Sequence, residues 1–348
     1  MDKVIKLKTK DNKDLFIKIS YPKEFQKIVL YVNGLGPNTY DNTRMINEKL
    51  KINYHDLFRN ELNKRNVSYV SYNARGVDVD VNYPFYKINE DLYKTNNVLN
   101  ALNDLEVIVN YLKKEYKQAK IYLLTFGEAS IIATNSIYKN KLKVDGLFIV
   151  SYFHDSFKDI LEWQFSGNSL LLNILAYLNL YERDYLLAKD FENDNTNILK
   201  DIFNNESFPN LDLNKDGKID ATDLKPLTYP FYEKFLLAVD NGDEKFFEEN
   251  IPFKVYSSWY KEMFSLPANK EILPMLDIPI YIFQGRFDNQ APFFGIDEIT
   301  STFKDLNKSN LKVYIYERLN QDLNYFEYIF SLKLSNGLID LFEVIKNN

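Results

Sequence analysis

The sequence contains no cysteine and only two histidines, His55 and His154, among its 348 residues. Without thiols the chain cannot form disulfides, use a thiolate nucleophile, or hold zinc or an iron–sulfur cluster through sulfur. Two imidazoles also give little basis for a multi-histidine metal centre. The formal net charge of -6 argues against a nucleic-acid-binding protein, because such a protein needs a basic surface.

Long apolar runs are also missing, and no stretch approaches the roughly 18 residues of a membrane span. The N-terminal residues 1–16 alternate charged and apolar side chains and lack the apolar core of a signal peptide. We therefore expect no membrane span and, by default, a cytoplasmic location. What the chain does have is 45% hydrophobic residues, including 26 Tyr and 26 Phe, which is enough to bury a large core.

Strand and helix patterns alternate over much of the chain. An opening hairpin is predicted in residues 1–22, with its turn at Asp11–Lys13, and a single terminal helix is predicted in residues 324–346. Between them, buried strands are predicted at 27–33, 67–72, 120–124, 144–150, 278–284 and 311–316, and helices at 54–65 and 89–116. Strands that alternate with helices of this length indicate an α/β fold with a mainly parallel central sheet.

The alternation stops between residues 153 and 270, where the pattern is aromatic, acidic and mostly helical. We therefore predict one α/β core built from residues 1–152 and 271–348. Residues 153–270 form a helical lid, or cap, inserted between two of its strands. Neither internal repeats nor a low-complexity linker is evident.

Four segments resemble motifs of the bacterial α/β-hydrolases, closest to the serine-aminopeptidase-like esterases and peptidases. Asn33–Asp41 resembles their glycine-rich oxyanion-side loop, and Tyr72–Val77 resembles their Tyr-Asp-x-Arg-Gly turn. Leu123–Ala129 lies where their nucleophile elbow, Gly-x-Ser-x-Gly, is expected. Ile278–Asp288 resembles the strand and turn that deliver their catalytic acid. The resemblance implies an α/β-hydrolase fold with a lid.

The chain departs from this family at the catalytic triad. The nucleophile position is Gly127, which has no side chain and cannot form an acyl-enzyme. The loop expected to supply the histidine, residues 317–325, contains none, and Gln321 or Asn320 stands at that place. Glutamine cannot shuttle a proton near neutral pH. Only the acid position, Asp288, is retained, so the resemblance implies a degenerate site.

Backbone donors survive the loss of side chains, so the family's oxyanion hole would here be formed by the N–H groups of Leu35 and Glu128. Such a cleft would hold a carbonyl or carboxylate, unless the Glu128 carboxylate faced into it. Two further residues are candidates for the pocket. Ser130 lies three residues past the elbow, and His154 follows a strand at the edge where ligands of such folds bind.

The most specific local motif lies at residues 212–223 and matches the EF-hand calcium loop, with glycine at position 6 and an apolar residue at position 8. The predicted ligands are Asp212, Asn214, Asp216, the carbonyl of Lys218, Asp220 and Asp223. Aspartate at position 12 resembles dockerin-type loops. We expect one structural Ca²⁺, a cation that is also typical of an extracytoplasmic setting, and no paired sensor.

The preferred hypothesis is a non-catalytic pseudo-hydrolase that binds a small apolar or carbonyl ligand, or a protein partner. The alternative is an active serine hydrolase, an esterase or peptidase, that uses an unrecognised constellation such as Ser130, His154 and Asp288. A third hypothesis is an interaction module that uses only its surface. The sequence does not discriminate further among partners.

Overall fold

The computed structural model describes all 348 residues. Its main sheet has eight strands in the order β1-β2-β6-β3-β9-β10-β11-β12. The strands are β1 (Asp2–Lys8), β2 (Asp14–Ser20), β3 (Lys27–Tyr31), β4 (Thr43–Met45), β5 (Lys51–Asn53), β6 (Val67–Tyr72), β7 (Val77–Val79), β8 (Tyr86–Ile88), β9 (Lys120–Phe126), β10 (Gly146–Val150), β11 (Ile280–Gly285) and β12 (Leu311–Tyr316). The pairings β1–β2 and β2–β6 are antiparallel and the others in this sheet are parallel, which confirms the predicted mainly parallel sheet.

Sixteen helices accompany the strands. They are α1 (Asp56–Lys64), α2 (Glu90–Tyr93), α3 (Val98–Glu115), α4 (Ala129–Lys139), α5 (Phe157–Trp163), α6 (Ser169–Tyr177), α7 (Ala188–Glu192), α8 (Ile198–Ile202), α9 (Phe208–Leu211), α10 (Ala221–Asn241), α11 (Glu244–Asn250), α12 (Ser257–Phe264), α13 (Asn269–Ile272), α14 (Phe294–Asp305), α15 (Tyr325–Ser331) and α16 (Asn336–Asn347). None combines the length and apolarity that crossing a bilayer requires.

Consecutive side chains of a strand point to opposite faces of the sheet, and helices cover both faces, so both sets of side chains are buried. In β9, Ile121 and Leu123 join the core beneath α3 and α14, whereas Tyr122 and Leu124 join the core beneath α1 and α16. The second core is rich in stacked aromatic rings, such as Phe148 on Tyr281 with centroids 4.8 Å apart. This explains the continuous apolar runs in the sequence.

The prediction of a single terminal helix at 324–346 is wrong, because the chain forms two helices there, α15 and α16. Leu332 adopts a left-handed φ of 55°, which an α-helix does not accommodate. Ser335 then starts α16, and its Oγ accepts the N–H of Leu338 at 3.1 Å. A hydroxyl in this position is a common helix N-cap.

Helices α5–α13 lie between β10 and β11 in the sequence and add no strand to the main sheet. The carboxyl ends of β3, β9, β10, β11 and β12 meet at one edge of this sheet, because these strands are parallel. The loops that follow them carry most of the residues that the sequence singles out, so this edge is the candidate site.

Candidate functional site

The turn from β9 into α4 has the backbone of a nucleophile elbow. Gly127 has a φ of 53°, and its N–H donates to the carbonyl of Val150 at 3.0 Å. A Cβ built on Gly127 would lie 3.2 Å from Oε1 of Gln290 and 3.4 Å from Cε1 of Phe153. The strained turn is therefore present, but the space for a nucleophile is bordered closely by two side chains.

The Glu128 side chain occupies one of the two predicted oxyanion donors. Its Oε1 accepts the backbone N–H of Leu35 at 3.0 Å. Part of Glu128 remains accessible, but burial of the carboxyl raises its pKa, and hydrogen bonds from the N–H groups of Leu35 and of Glu128 itself oppose that rise. The Leu35 N–H, one of the two predicted oxyanion donors, is thus engaged by the protein's own carboxylate and is not directed at a free cleft.

Gly34 makes this arrangement possible. A Cβ built on Gly34 would lie 2.1 Å from Oε1 of Glu128, so a larger residue at 34 would displace the carboxylate. The motif spacing indicates the backbone donors of residues 35 and 128, whereas the direction of the Glu128 side chain depends on the close approach of Gly34 in the folded chain.

Asp288, at the acid position, is bonded within its own turn. Oδ1 accepts the N–H groups of Gln290 at 2.8 Å and Ala291 at 3.0 Å, and Oδ2 accepts Nε2 of Gln284 at 2.8 Å. The residue is 1% exposed, and burial raises its pKa to about 6. A carboxylate that accepts turn N–H groups has a structural role without any chemistry.

The loop expected to supply the general base is stabilised by other residues than Gln321. Asn320 Oδ1 accepts the N–H of Asn324 at 2.8 Å, and Asp322 Oδ1 accepts the N–H of Tyr325 at 3.0 Å. Gln321 is half-buried and makes no side-chain hydrogen bond. It does not contact Asp288 through a hydrogen bond, so the acid and base positions are not linked.

Ser130 is fully buried and lies in a network with α13. Its Oγ accepts Nδ2 of Asn269 at 2.9 Å, and the same nitrogen donates to the carbonyl of Phe153 at 2.7 Å. Thr134 completes the network by donating to Oδ1 of Asn269 at 2.6 Å. Asn269 lies 139 residues from Ser130, so no local sequence pattern indicates this contact.

His154 is directed away from the elbow. Its Nδ1 bonds the hydroxyl of Tyr152 at 3.1 Å, and its Nε2 bonds Oε2 of Glu298 on α14 at 2.9 Å. Burial lowers the pKa of this imidazole, although Asp155 and Glu298 oppose the change. Ser130, His154 and Asp288 therefore make no hydrogen bonds to one another, and the structure does not assemble the alternative constellation.

His55, the other histidine, lies just before α1 in the interior of the protein. It is 0% exposed, and its Nδ1 bonds the Tyr69 hydroxyl at 2.8 Å. The ring packs edge-on against Tyr31, with centroids 4.8 Å apart, and burial lowers its pKa well below the usual value. His55 belongs to the aromatic core and not to the site.

The 212–223 loop is closed by hydrogen bonds to its own backbone. Asp212 accepts the N–H groups of Asp216 at 3.1 Å and Gly217 at 3.0 Å, and Asp223 accepts that of Leu213 at 2.9 Å. Its carboxylates do not converge into a group of three or more around one point. The nearest ion pairs in sequence, Arg183–Asp190 and Lys245–Glu249, do not involve them, so their charge has no cationic partner.

A cleft of ≈ 550 Å³ opens beside the oxyanion-side loop. It is lined by Leu35, Gly36, Arg44, Phe85 and Phe253, among others. It does not include Gly127, Glu128 or Asp288. A ligand in this cleft would contact the oxyanion-side loop and not the elbow residues.

No protein-family model matches the chain, and no curated protein does so either. Solved structures do match. A highly thermostable carboxyl esterase from Bacillus coagulans, in complex with glycerol, is 12% identical over 99% of both chains with a TM-score of 0.55. A lipase in its open form is 11% identical over 100% of both chains with a TM-score of 0.54.

Identities this low show the fold and do not transfer an activity. The match covers the whole chain, and the central sheet is mainly parallel, as the sequence predicted. The chain has the α/β-hydrolase fold.

Proposed function

We propose that this chain is a non-catalytic pseudo-hydrolase of the serine-aminopeptidase-like type, which uses the α/β-hydrolase fold to bind a ligand. The observation that carries the proposal is the Glu128 carboxylate on the Leu35 N–H, beside a glycine at the nucleophile position. A negative charge at this place opposes the oxyanion that acyl transfer must develop. The same charge also disfavours a carboxylate ligand there.

We place the ligand in the ≈ 550 Å³ cleft beside Leu35. The Phe85 and Phe253 rings can pack against the apolar part of a ligand, and the Arg44 guanidinium can donate hydrogen bonds to its carbonyl or acidic group. A protein partner presenting such a group would use the same surface. The active-hydrolase alternative lacks support, since Ser130 and His154 are each bonded elsewhere.

A fluorophosphonate probe tests the loss of chemistry directly, because it labels any serine activated as a nucleophile. We expect intact mass spectrometry to show no adduct after incubation with excess probe. Ser130→Ala is the matched control. An adduct on the wild-type chain that disappears in Ser130→Ala would establish an active site and contradict the proposal.

The same proposal includes one structural Ca²⁺ in the 212–223 loop. The donor set fits the ion in its chemistry, since four carboxylates, an amide oxygen and a carbonyl offer the hard oxygens that calcium prefers, although three or more of these carboxylates do not converge on one point in the structure. The carboxylates also lack any cationic partner, and close carboxylates repel one another unless a cation is present. The residues that would hold the ion are Asp212, Asn214, Asp216, Lys218, Asp220 and Asp223.

Removing calcium should lower the melting temperature. At a calcium concentration 100 times the dissociation constant, the ion stabilises the fold by about 2.7 kcal/mol, which corresponds to roughly 4 °C for a chain of this length. We expect EDTA to lower the melting temperature in a calorimetric scan and excess calcium to restore it. Asp216→Asn should lose this response, whereas Asp201→Asn, an exposed aspartate outside the loop, should keep it. No response of the wild type to millimolar calcium would refute the site.

A further inference from the structure

The 212–223 loop is joined to a second segment of the same length. Leu186 and Ile219 form an isolated antiparallel bridge, with Leu186 N–H donating to Ile219 O at 2.9 Å and Ile219 N–H donating to Leu186 O at 3.0 Å. Ile219 is position 8 of the calcium loop. It lies seven residues after the start of that loop. A segment of the same length that starts seven residues before Leu186 spans 179–190, and Leu186 is its position 8.

The correspondence continues beyond the bridge. Each segment follows the end of a helix, α6 or α9, and each enters a helix, α7 or α10, two residues after the bridge, at Ala188 and Ala221. At position 12 each has an aspartate that accepts the N–H of position 9. Asp190 accepts that of Leu187 at 2.7 Å, and Asp223 accepts that of Asp220 at 3.1 Å.

The two segments also share one apolar core. Leu186 and Ile219 are both 0% exposed and belong to a cluster that includes Leu175, Leu211 and Leu224 from the flanking helices. The sequence predicts one structural Ca²⁺ and no paired sensor, and it does not indicate what the calcium loop packs against. The bridge and the common core show that it packs against a segment that matches it from position 8 to position 12, although only the calcium loop has left-handed residues at positions 4 and 6.

The two segments differ in charge at position 5. The calcium loop has Asp216 there, and the 179–190 segment has Arg183. Arg183 Nη2 donates to Oδ1 of Asp190 at 2.5 Å, and the two side chains are only 14% and 8% exposed. The guanidinium therefore neutralises the position-12 carboxylate from within the segment.

We infer that residues 179–190 are a second copy of the loop that carries its own cation. Arg183 supplies the positive charge that Ca²⁺ supplies in residues 212–223, so the pair takes one ion and not two. Because two backbone hydrogen bonds join Leu186 to Ile219, an ordered 179–190 segment holds Ile219 in place. This restraint strengthens calcium binding by the other loop. This inference rests on the proposed calcium site, except for the role of Arg183, which stands without it.

Arg183→Gln tests the inference, with Lys189→Gln as the matched control. Lys189 is an exposed residue of the same segment, it forms no ion pair with Asp190, and its substitution removes the same charge. We expect Arg183→Gln to lower the melting temperature in EDTA by about 4 °C, because it leaves a buried carboxylate unpaired. It should also weaken calcium binding about tenfold, although Arg183 is not a ligand, and Lys189→Gln should do neither. Arg183→Lys, which keeps the charge, should retain most of both properties and serves if the glutamine variant does not fold.

Isothermal titration and metal analysis of the wild-type chain give the second readout. One ion per chain is expected, and two ions would overturn the inference. Equal behaviour of Arg183→Gln and Lys189→Gln would overturn it as well. If the wild type binds no calcium, the calcium site fails, and the comparison of the two variants in EDTA still decides whether Arg183 acts as the internal cation.

Discussion

Short-chain nitrophenyl esters should be hydrolysed no faster by the wild-type chain than by buffer, and Gly127→Ser alone should not change this result. Losing the nucleophile or the base of a serine hydrolase costs on the order of 10⁶ in kcat, and under the proposed function this chain lacks both. A serine at 127 would find no imidazole, since His154 is held by Tyr152 and Glu298. It would also face the carboxylate on the Leu35 N–H.

A series of variants measures how much the Glu128 carboxylate lowers the rate of ester hydrolysis, separately from the missing nucleophile and base. Gly127→Ser combined with Gln321→His restores the two missing residue types at the positions where the family has them. Adding Glu128→Ala frees the Leu35 N–H, and since one oxyanion-hole donor is worth about 10²–10³ in kcat, we expect this step to raise the rate by that factor. Adding Glu271→Ala instead, which removes an exposed carboxylate elsewhere, should leave the rate unchanged. Circular dichroism melts show whether each variant is folded.

Turnover by the wild type would contradict the expected result, and so would an equal gain from Glu271→Ala and Glu128→Ala. The first outcome would mean that another group acts as nucleophile. The second would mean that the Glu128 carboxylate does not occupy the oxyanion position in solution.

The strands of the core could be predicted because each is a short apolar run bounded by turn residues. Val67–Tyr72 and Leu311–Tyr316 have the predicted boundaries, and the elbow and the acid turn follow directly from the strand ends. Such local patterns also indicated the hairpin at residues 1–22. The break between α15 and α16 was missed because the left-handed Leu332 is not a residue type that signals a helix end.

The site itself depends on contacts that are distant in sequence. Glu128 and Leu35 are 93 residues apart, and no periodicity shows that one side chain reaches the other. In the sequence, Gly34 is one of two glycines of a loop, and nothing near it indicates that it accommodates this carboxylate. The Leu186–Ile219 bridge was missed for the same reason, because residues 179–190 have lost the acidic pattern by which the other loop was found.

Asp104→Ala should lower the free energy of unfolding by about 3–5 kcal/mol, the cost of breaking a buried ion pair. Arg75 Nε donates to Oδ2 of Asp104 at 2.6 Å, and Nη2 donates to Oδ1 at 2.7 Å. The two side chains are 2% and 5% exposed, so removal of the carboxylate leaves a guanidinium without water or its main partner. Urea unfolding followed by circular dichroism measures the loss.

The matched control uses the second partner of the same guanidinium. Asp11 pairs with Arg75 Nη1 at 2.9 Å but is 44% exposed, so Asp11→Ala should cost no more than about 1 kcal/mol. The double variant Arg75→Met/Asp104→Leu should be more stable than Asp104→Ala, because no charge remains unpaired in the core. Equal losses from Asp11→Ala and Asp104→Ala would show that burial does not govern this pair.

The effect should extend to the candidate site, because the Arg75 turn supports the oxyanion-side loop. Ala74, next to Arg75, donates its N–H to the carbonyl of Asn38 at 2.8 Å, and Asn38 Nδ2 in turn donates to the carbonyls of Gly34 and Leu35. Loosening the turn should therefore expose the Leu35 amide. Hydrogen exchange at Leu35 should accelerate in Asp104→Ala and not in Asp11→Ala, and an unchanged rate in both would mean that the loop holds its position without the ion pair.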